Sequence, residues 1–159
     1  MLRLLFTRIM AKFASSDYDE ILTDKIERIS RADAIIWNEH SEIYAKFIEL
    51  NGYKFLSVTI TGFLNIKTTE GCQLTFYTNT GEFSCKSESS TVEGDYSEIS
   101  GIGLTKFDIE LDADIIDFIE TQPINRATLS TKNGDFPKTN LEFNYDSINL
   151  DLLKEILNS

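Results

Sequence analysis

The chain has one histidine, two cysteines, two prolines and eight glycines in 159 residues, and each scarcity removes a class of answer. A single histidine, His40, leaves little for the acid–base triads that need an imidazole. So few Pro and Gly argue against a disordered or low-complexity chain. The two thiols, Cys72 and Cys85, lack the Cys-x-x-Cys or His–Cys spacing of a zinc or redox site. A tight turn at Thr80-Gly81 would set Cys85 opposite Phe76 and Cys72 near Ser89. The sulfurs would then lie about four residues apart along the ladder, roughly 13 Å, against the roughly 7 Å between Cα atoms that a disulfide spans. Both therefore read as free, buried thiols in a reducing compartment, which makes the expected location cytoplasmic.

Other absences concern motifs. No apolar run approaches the roughly 18 residues of a transmembrane helix. Gly-x-Ser-x-Gly, His-Glu-x-x-His and Walker patterns do not occur. Gly101-Ile102-Gly103 supplies two glycines of a dinucleotide loop, but Lys106 stands at the third position and no helical pattern follows, so a strand kink is the simpler reading. Basic stripes interleaved with aromatics, the mark of direct nucleic-acid binding, are missing. No cofactor and no metal is implied.

What is present suffices for a core. Hydrophobic residues make up 42%, with eleven Phe, and a chain of this size buries roughly 70% of its unfolded surface. One domain over residues 1–159 is expected. Within residues 1–50 the apolar positions suggest helices. Leu2, Leu5, Phe6, Ile9, Met10 and Phe13 form one stripe beside Arg3, Arg8 and Lys12, with no acid. That segment reads as a first helix, as a basic membrane-surface or targeting helix, or as leader residues before a start at Met10. Ser15, Ser16 and Asp17 can cap a second helix carrying Ile21, Leu22, Ile26 and Ile29. Ile36, His40, Ile43, Tyr44, Phe47 and Leu50 extend the period, and Asn51-Gly52 offers a helix stop.

From Tyr53 the period falls to two. Leu56, Val58, Ile60, Leu64 and Ile66 share a face, Glu70-Gly71 and Thr80-Gly81 turn the chain, and Phe107 and Ile109 alternate with Asp108 and Glu110. Asp112 and Asp114 can cap a short helix near 113–121 that Gln122-Pro123 ends. A hairpin around Asn133-Gly134 and a helix over 147–158, opened by Asp146 or Ser147, complete residues 53–159. The sum is α+β: N-terminal helices packed on an antiparallel meander of about six strands, with a C-terminal helix. The alternative is a small curled barrel closed by that helix, as in pleckstrin-homology-like modules.

Two constellations could carry function. His40 sits among Glu39, Ser41 and Glu42; on a helix it would share a face with Trp37 and Tyr44 as a packing residue, and with carboxylates it could act as a base. The acidic one is larger. Residues 82–120 hold eleven acids against Lys86 and Lys106, so nine of the eleven net negative charges fall there. Within them Asp108, Glu110, Asp112 and Asp114 recur at every second residue, followed by Asp117. An extended strand would align four carboxylates for a divalent cation or for metal-assisted hydrolysis, although the EF-hand glycine and terminal glutamate are absent. Such a field also attracts basic surfaces.

The expected function is a non-enzymatic acidic binding module that docks on a basic protein, as an immunity protein or a nucleic-acid mimic does. Glu98, Asp108, Glu110, Asp112, Asp114 and Asp117 would form the partner surface. The alternatives are a small carboxylate-based hydrolase and an acidic domain whose charge serves solubility alone. No composition or motif indicates an oligomeric state.

Overall fold

Residues 41–62 set the frame, because their side chains alternate between the two faces of a sheet. In the computed structural model, which describes residues 17–29, 31–133 and 139–159, β1 (Ile36–Trp37), β2 (Ser41–Leu50) and β3 (Tyr53–Gly62) form an antiparallel meander. Ile43, Leu56, Val58 and Ile60 are fully buried on its inner face. Tyr44, Lys46, Ile48 and Leu50 point the other way.

This corrects the helical reading of residues 1–50 over its second half. The apolar residues of 36–50 recur at helical spacing, but in β2 they divide between the two faces, Ile43 and Phe47 on one and Tyr44, Ile48 and Leu50 on the other, and long-range pairing with β3 decides for the strand. Asn51-Gly52 is accordingly not a helix stop. Asn51 (φ 52°) and Gly52 (φ 82°) both occupy the left-handed region, the two-residue primed turn that matches strand twist, with Leu50 paired to Tyr53. The helix expected around Ile21 and Leu22 is present as α1, residues 17–27, with Leu22 buried. The basic apolar segment before it lies outside the described residues.

Among the described residues there are twelve strands in three antiparallel sheets, rather than about six in one, and five of the twelve span only two residues. The largest sheet has the order β12-β1-β2-β3-β9-β8, where β8 is Asp95–Tyr96, β9 is Gly103–Glu110 and β12 is Ser147–Ile148. The second runs β11-β10-β5-β6, from β5 (Cys72–Tyr77), β6 (Glu82–Lys86), β10 (Arg126–Asn133) and β11 (Thr139–Tyr145). A small ladder joins β4 (Lys67–Thr68) to β7 (Val92–Glu93). The sheets stay open, so no barrel closes. The strand predicted through Ile66 ends at Gly62, and the turn expected at Asn133-Gly134 runs into residues outside the described set.

Helix α2 (Ala113–Thr121) forms where expected. Asp112 is its N-cap, its side chain accepting from the Ile115 amide at 2.8 Å, and Gln122 is its C-cap. The last helix, α3 (Leu150–Leu157), starts later than Asp146 or Ser147, because residues 147–148 pair with β1 and Asn149 is the cap. One continuous apolar core draws on both larger sheets, α2 and α3. Helix α2 closes over β6, where the Phe118 and Phe83 ring centroids lie 5.1 Å apart.

The thiol register also differs. Leu74, not Phe76, pairs with Cys85, because the turn takes four residues, Thr78 to Gly81, with the Thr78 side chain accepting from the Gly81 amide. Cys72 and Cys85 are thus diagonal neighbours on the inner face, about 7–8 Å apart by sheet geometry. Both are free and buried, and burial pushes their thiols up to about 11 and about 12. No helix among the described residues is long and apolar enough to cross a membrane.

Candidate functional site

The outer face of the six-stranded sheet divides into two halves. Over the first lies α1. Ile26, Glu27 and Ile29 flank a groove with Tyr44 and Thr61, Lys25 and Arg28 flank another with Leu104 and Lys106, and Tyr44 and Leu104 are buried beneath. The Tyr18 hydroxyl donates to Asp95 at 3.1 Å and the Ser100 hydroxyl to Asp19 at 2.9 Å, which anchor the N-terminal end of α1 at the β8 edge.

The second half is open. Register places Ile48, Phe55 and Glu110 in one row across β2, β3 and β9, and Lys46, Ser57 and Asp108 in the next, with the Leu50–Tyr53 pair beyond. Leu50 and Tyr53 are 62% and 61% exposed, unusual for large apolar side chains standing side by side on a sheet. Asp108 and Glu110 border this apolar stripe and point to solvent. The strand pairing makes this patch, and a helical period over residues 36–50 hides it. A period-two reading of Tyr44, Lys46, Ile48 and Leu50 would have found it.

The predicted acidic residues are only partly brought together. Asp108 and Glu110 share the outer face of β9. That strand ends at Glu110, so Asp112 leaves the face to cap α2, and Asp114 and Asp117 stand on the exposed side of that helix. Glu98 lies in the turn before β9, at the far end of the strand from Glu110. The four-carboxylate face needed for a strand-borne metal site is therefore split. Among the described residues no group of three or more His, Cys, Asp or Glu is placed to hold a metal ion. Nor, among them, do any of the six predicted acids form an ion pair, whereas Asp95 and Glu93 in the same segment pair with Lys25 and Lys67 at 3.8 Å each.

His40 is not a packing residue on a helix. Asn38-Glu39-His40-Ser41 is the β1–β2 turn, with the Asn38 amide bonded to the Ser41 carbonyl at 3.0 Å. Its Asn38 side chain accepts from the His40 and Ser41 amides at 2.8 Å each, the local competition that makes Asn a turn former. His40 is exposed, its Nε2 3.2 Å from Glu39. Its carbonyl accepts from the Phe63 amide at 3.0 Å, and Phe63 is left 62% exposed beside it. Between this turn and β11 runs an open groove of about 560 Å³, lined by Trp37, Glu39, Phe63, Glu142, Phe143 and Asp146 among others. His40 belongs to this groove and not to the acidic strand, because it lies at the opposite end of the sheet from Glu110.

The chain matches no known family model, no curated protein and no solved structure.

Proposed function

We propose that the protein is a non-enzymatic binding module that docks on a basic protein partner through the open half of its large sheet. The observation that supports this most directly is the row Ile48–Phe55–Glu110 with its neighbours. An exposed apolar stripe is bordered on one side by outward carboxylates that have no ion-pair partner among the described residues. Protein interfaces combine such a desolvated centre, rich in aromatics, with a charged rim that steers association. Asp112, Asp114 and Asp117, which follow within a few residues on α2, extend the negative field. Glu98 contributes at longer range from the other end of β9. An immunity protein or a nucleic-acid mimic presents a surface of this chemistry.

The test is capture from the native source followed by kinetics on the recovered partner. A basic protein should bind the unaltered chain, and association should weaken with salt, because exposed charges are screened beyond about 8 Å at physiological ionic strength. Asp108→Asn with Glu110→Gln should slow association more than it speeds dissociation, and Tyr53→Ser with Leu50→Ser should speed dissociation. A partner that binds both double variants as well as the unaltered chain removes this face from the function.

A further inference from the structure

The groove between the β1–β2 turn and β11 combines two chemistries that rarely line the same wall by chance. Its rings are Trp37, Phe63, Phe143 and the His40 imidazole; its carboxylates are Glu142, Asp146 and Glu39, the last 3.2 Å from His40; among the described residues no lysine or arginine lines it. Trp37 is 38% and Phe63 62% exposed, so two ring surfaces stay open to solvent in a groove that carboxylates also line. Aromatic faces attract cations through their quadrupole, and arginine above all stacks on them. The molecule makes such a contact elsewhere, with the Arg126 guanidinium 4.1 Å from the centroid of the Tyr77 ring.

The second wall is a strand edge, occupied among the described residues only where Asn38 bonds to it. β11 is the terminal strand of its sheet, and the Asn144 carbonyl points out of that edge, where it accepts from the Asn38 side-chain amide at 2.9 Å. Backbone groups in an antiparallel pair face the partner and the outside alternately, so Glu142, two residues earlier, also turns its N–H and C=O outward. A strand edge beside a charged aromatic groove is the arrangement that receives an extended segment, its backbone on the edge and its side chain in the groove.

We propose that this groove takes an arginine or lysine side chain carried by an extended segment of a protein partner. The inference shares with the reading above only the cationic character of the partner; the groove lies at the other end of β2 and β3 from the open outer face.

Trp37 is the only tryptophan, which makes its emission a reporter inside the groove. The full chain is titrated with a capped pentapeptide, Thr-Val-Arg-Val-Thr, with the same peptide carrying citrulline, which keeps the shape and loses the charge, and with guanidinium ion alone. The arginine peptide should change the emission saturably, and the citrulline peptide should not. Glu142→Gln with Asp146→Asn, at exposed positions, should weaken the arginine peptide about fivefold or more, roughly 1 kcal/mol by the affinity relation. Asp108→Asn with Glu110→Gln should leave it unchanged, which separates this site from the outer face. Equal response to citrulline, no saturable response, or no effect of the groove variants overturns the proposal. Guanidinium ion binding as tightly as the peptide also overturns it, because the strand edge would then contribute nothing.

Discussion

The phenolic oxygen of Tyr145, at the end of β11, lies 2.7 Å from the Ser41 hydroxyl at the start of β2. Tyr145 is fully buried and Ser41 nearly so, so this is a polar link between the two larger sheets inside the shared core. Burial, offset in part by that hydrogen bond, holds the Tyr145 hydroxyl up at about 12, and the phenol stays neutral across the working range. Tyr145→Phe removes the link and keeps the ring; it should cost about 1 kcal/mol, the usual net worth of a buried hydrogen bond. Tyr145→Ala, which also empties ring volume, should cost about 3–5 kcal/mol. Denaturant midpoints of the two variants check the ratio.

Cys72 and Cys85 should both be free yet silent in the native state. An alkylating reagent at neutral pH should modify neither on the timescale in which it modifies both in denaturant, because the thiols are buried and their ionisation is displaced to about 11 and about 12. The linkage has a definite sign. The unfolded thiols ionise near the ordinary thiol value of 9.0, the folded ones later, so their contribution is intact below about pH 9. Stability should then fall as pH rises from about 9 towards 12. Replacing both by Ser or Ala should flatten that alkaline limb. A limb of unchanged steepness in the double variant contradicts the assignment.

Asp112 acts as a cap rather than as a ligand. Asp112→Asn keeps an acceptor for the Ile115 amide and should change stability little, whereas Asp112→Ala should cost about 1 kcal/mol. Thermal unfolding separates the two. Equal losses for Asn and Ala would mean that charge, not the cap geometry, is what the site uses.

Gly62 connects the fold to the groove. Its φ is +141°, and a Cβ there would run into the His40 carbonyl oxygen and the Ser41 backbone. Gly62→Ala should therefore destabilise by more than the roughly 1–3 kcal/mol of a strained backbone position alone, and it should shift the Trp37 emission by displacing the β1–β2 turn. A variant of native stability and unchanged emission would show that the turn relaxes freely.

Much was legible in the residues themselves. Local alternation sufficed for β9 and for the strands β10 and β11, the glycine turn for the existence though not the register of the β5–β6 hairpin, and the Asp cap for α2, since each is specified within about ten residues. Free, buried thiols also follow from the hairpin, although Cys85 pairs with Leu74 and not with Phe76. The α+β class and the antiparallel sheets needed nothing more. What residues 36–50 become was decided by tertiary structure: Ile36, Ile43, Tyr44, Phe47 and Leu50 recur at helical spacing, whereas in β2 Ile43 and Phe47 take one face and Tyr44 and Leu50 the other, and only pairing against β3 decides for the strand. That one decision turned Asn51-Gly52 from a helix end into a hairpin, moved His40 from a helix face to a turn, and exposed Ile48, Leu50 and Tyr53 beside Asp108 and Glu110. The ending of β9 at Glu110 likewise came from packing, because Leu111 turns into the core and Asp112 is taken by the cap. Side-chain chemistry is written in the chain, but which side chains meet depends on contacts between segments far apart in it.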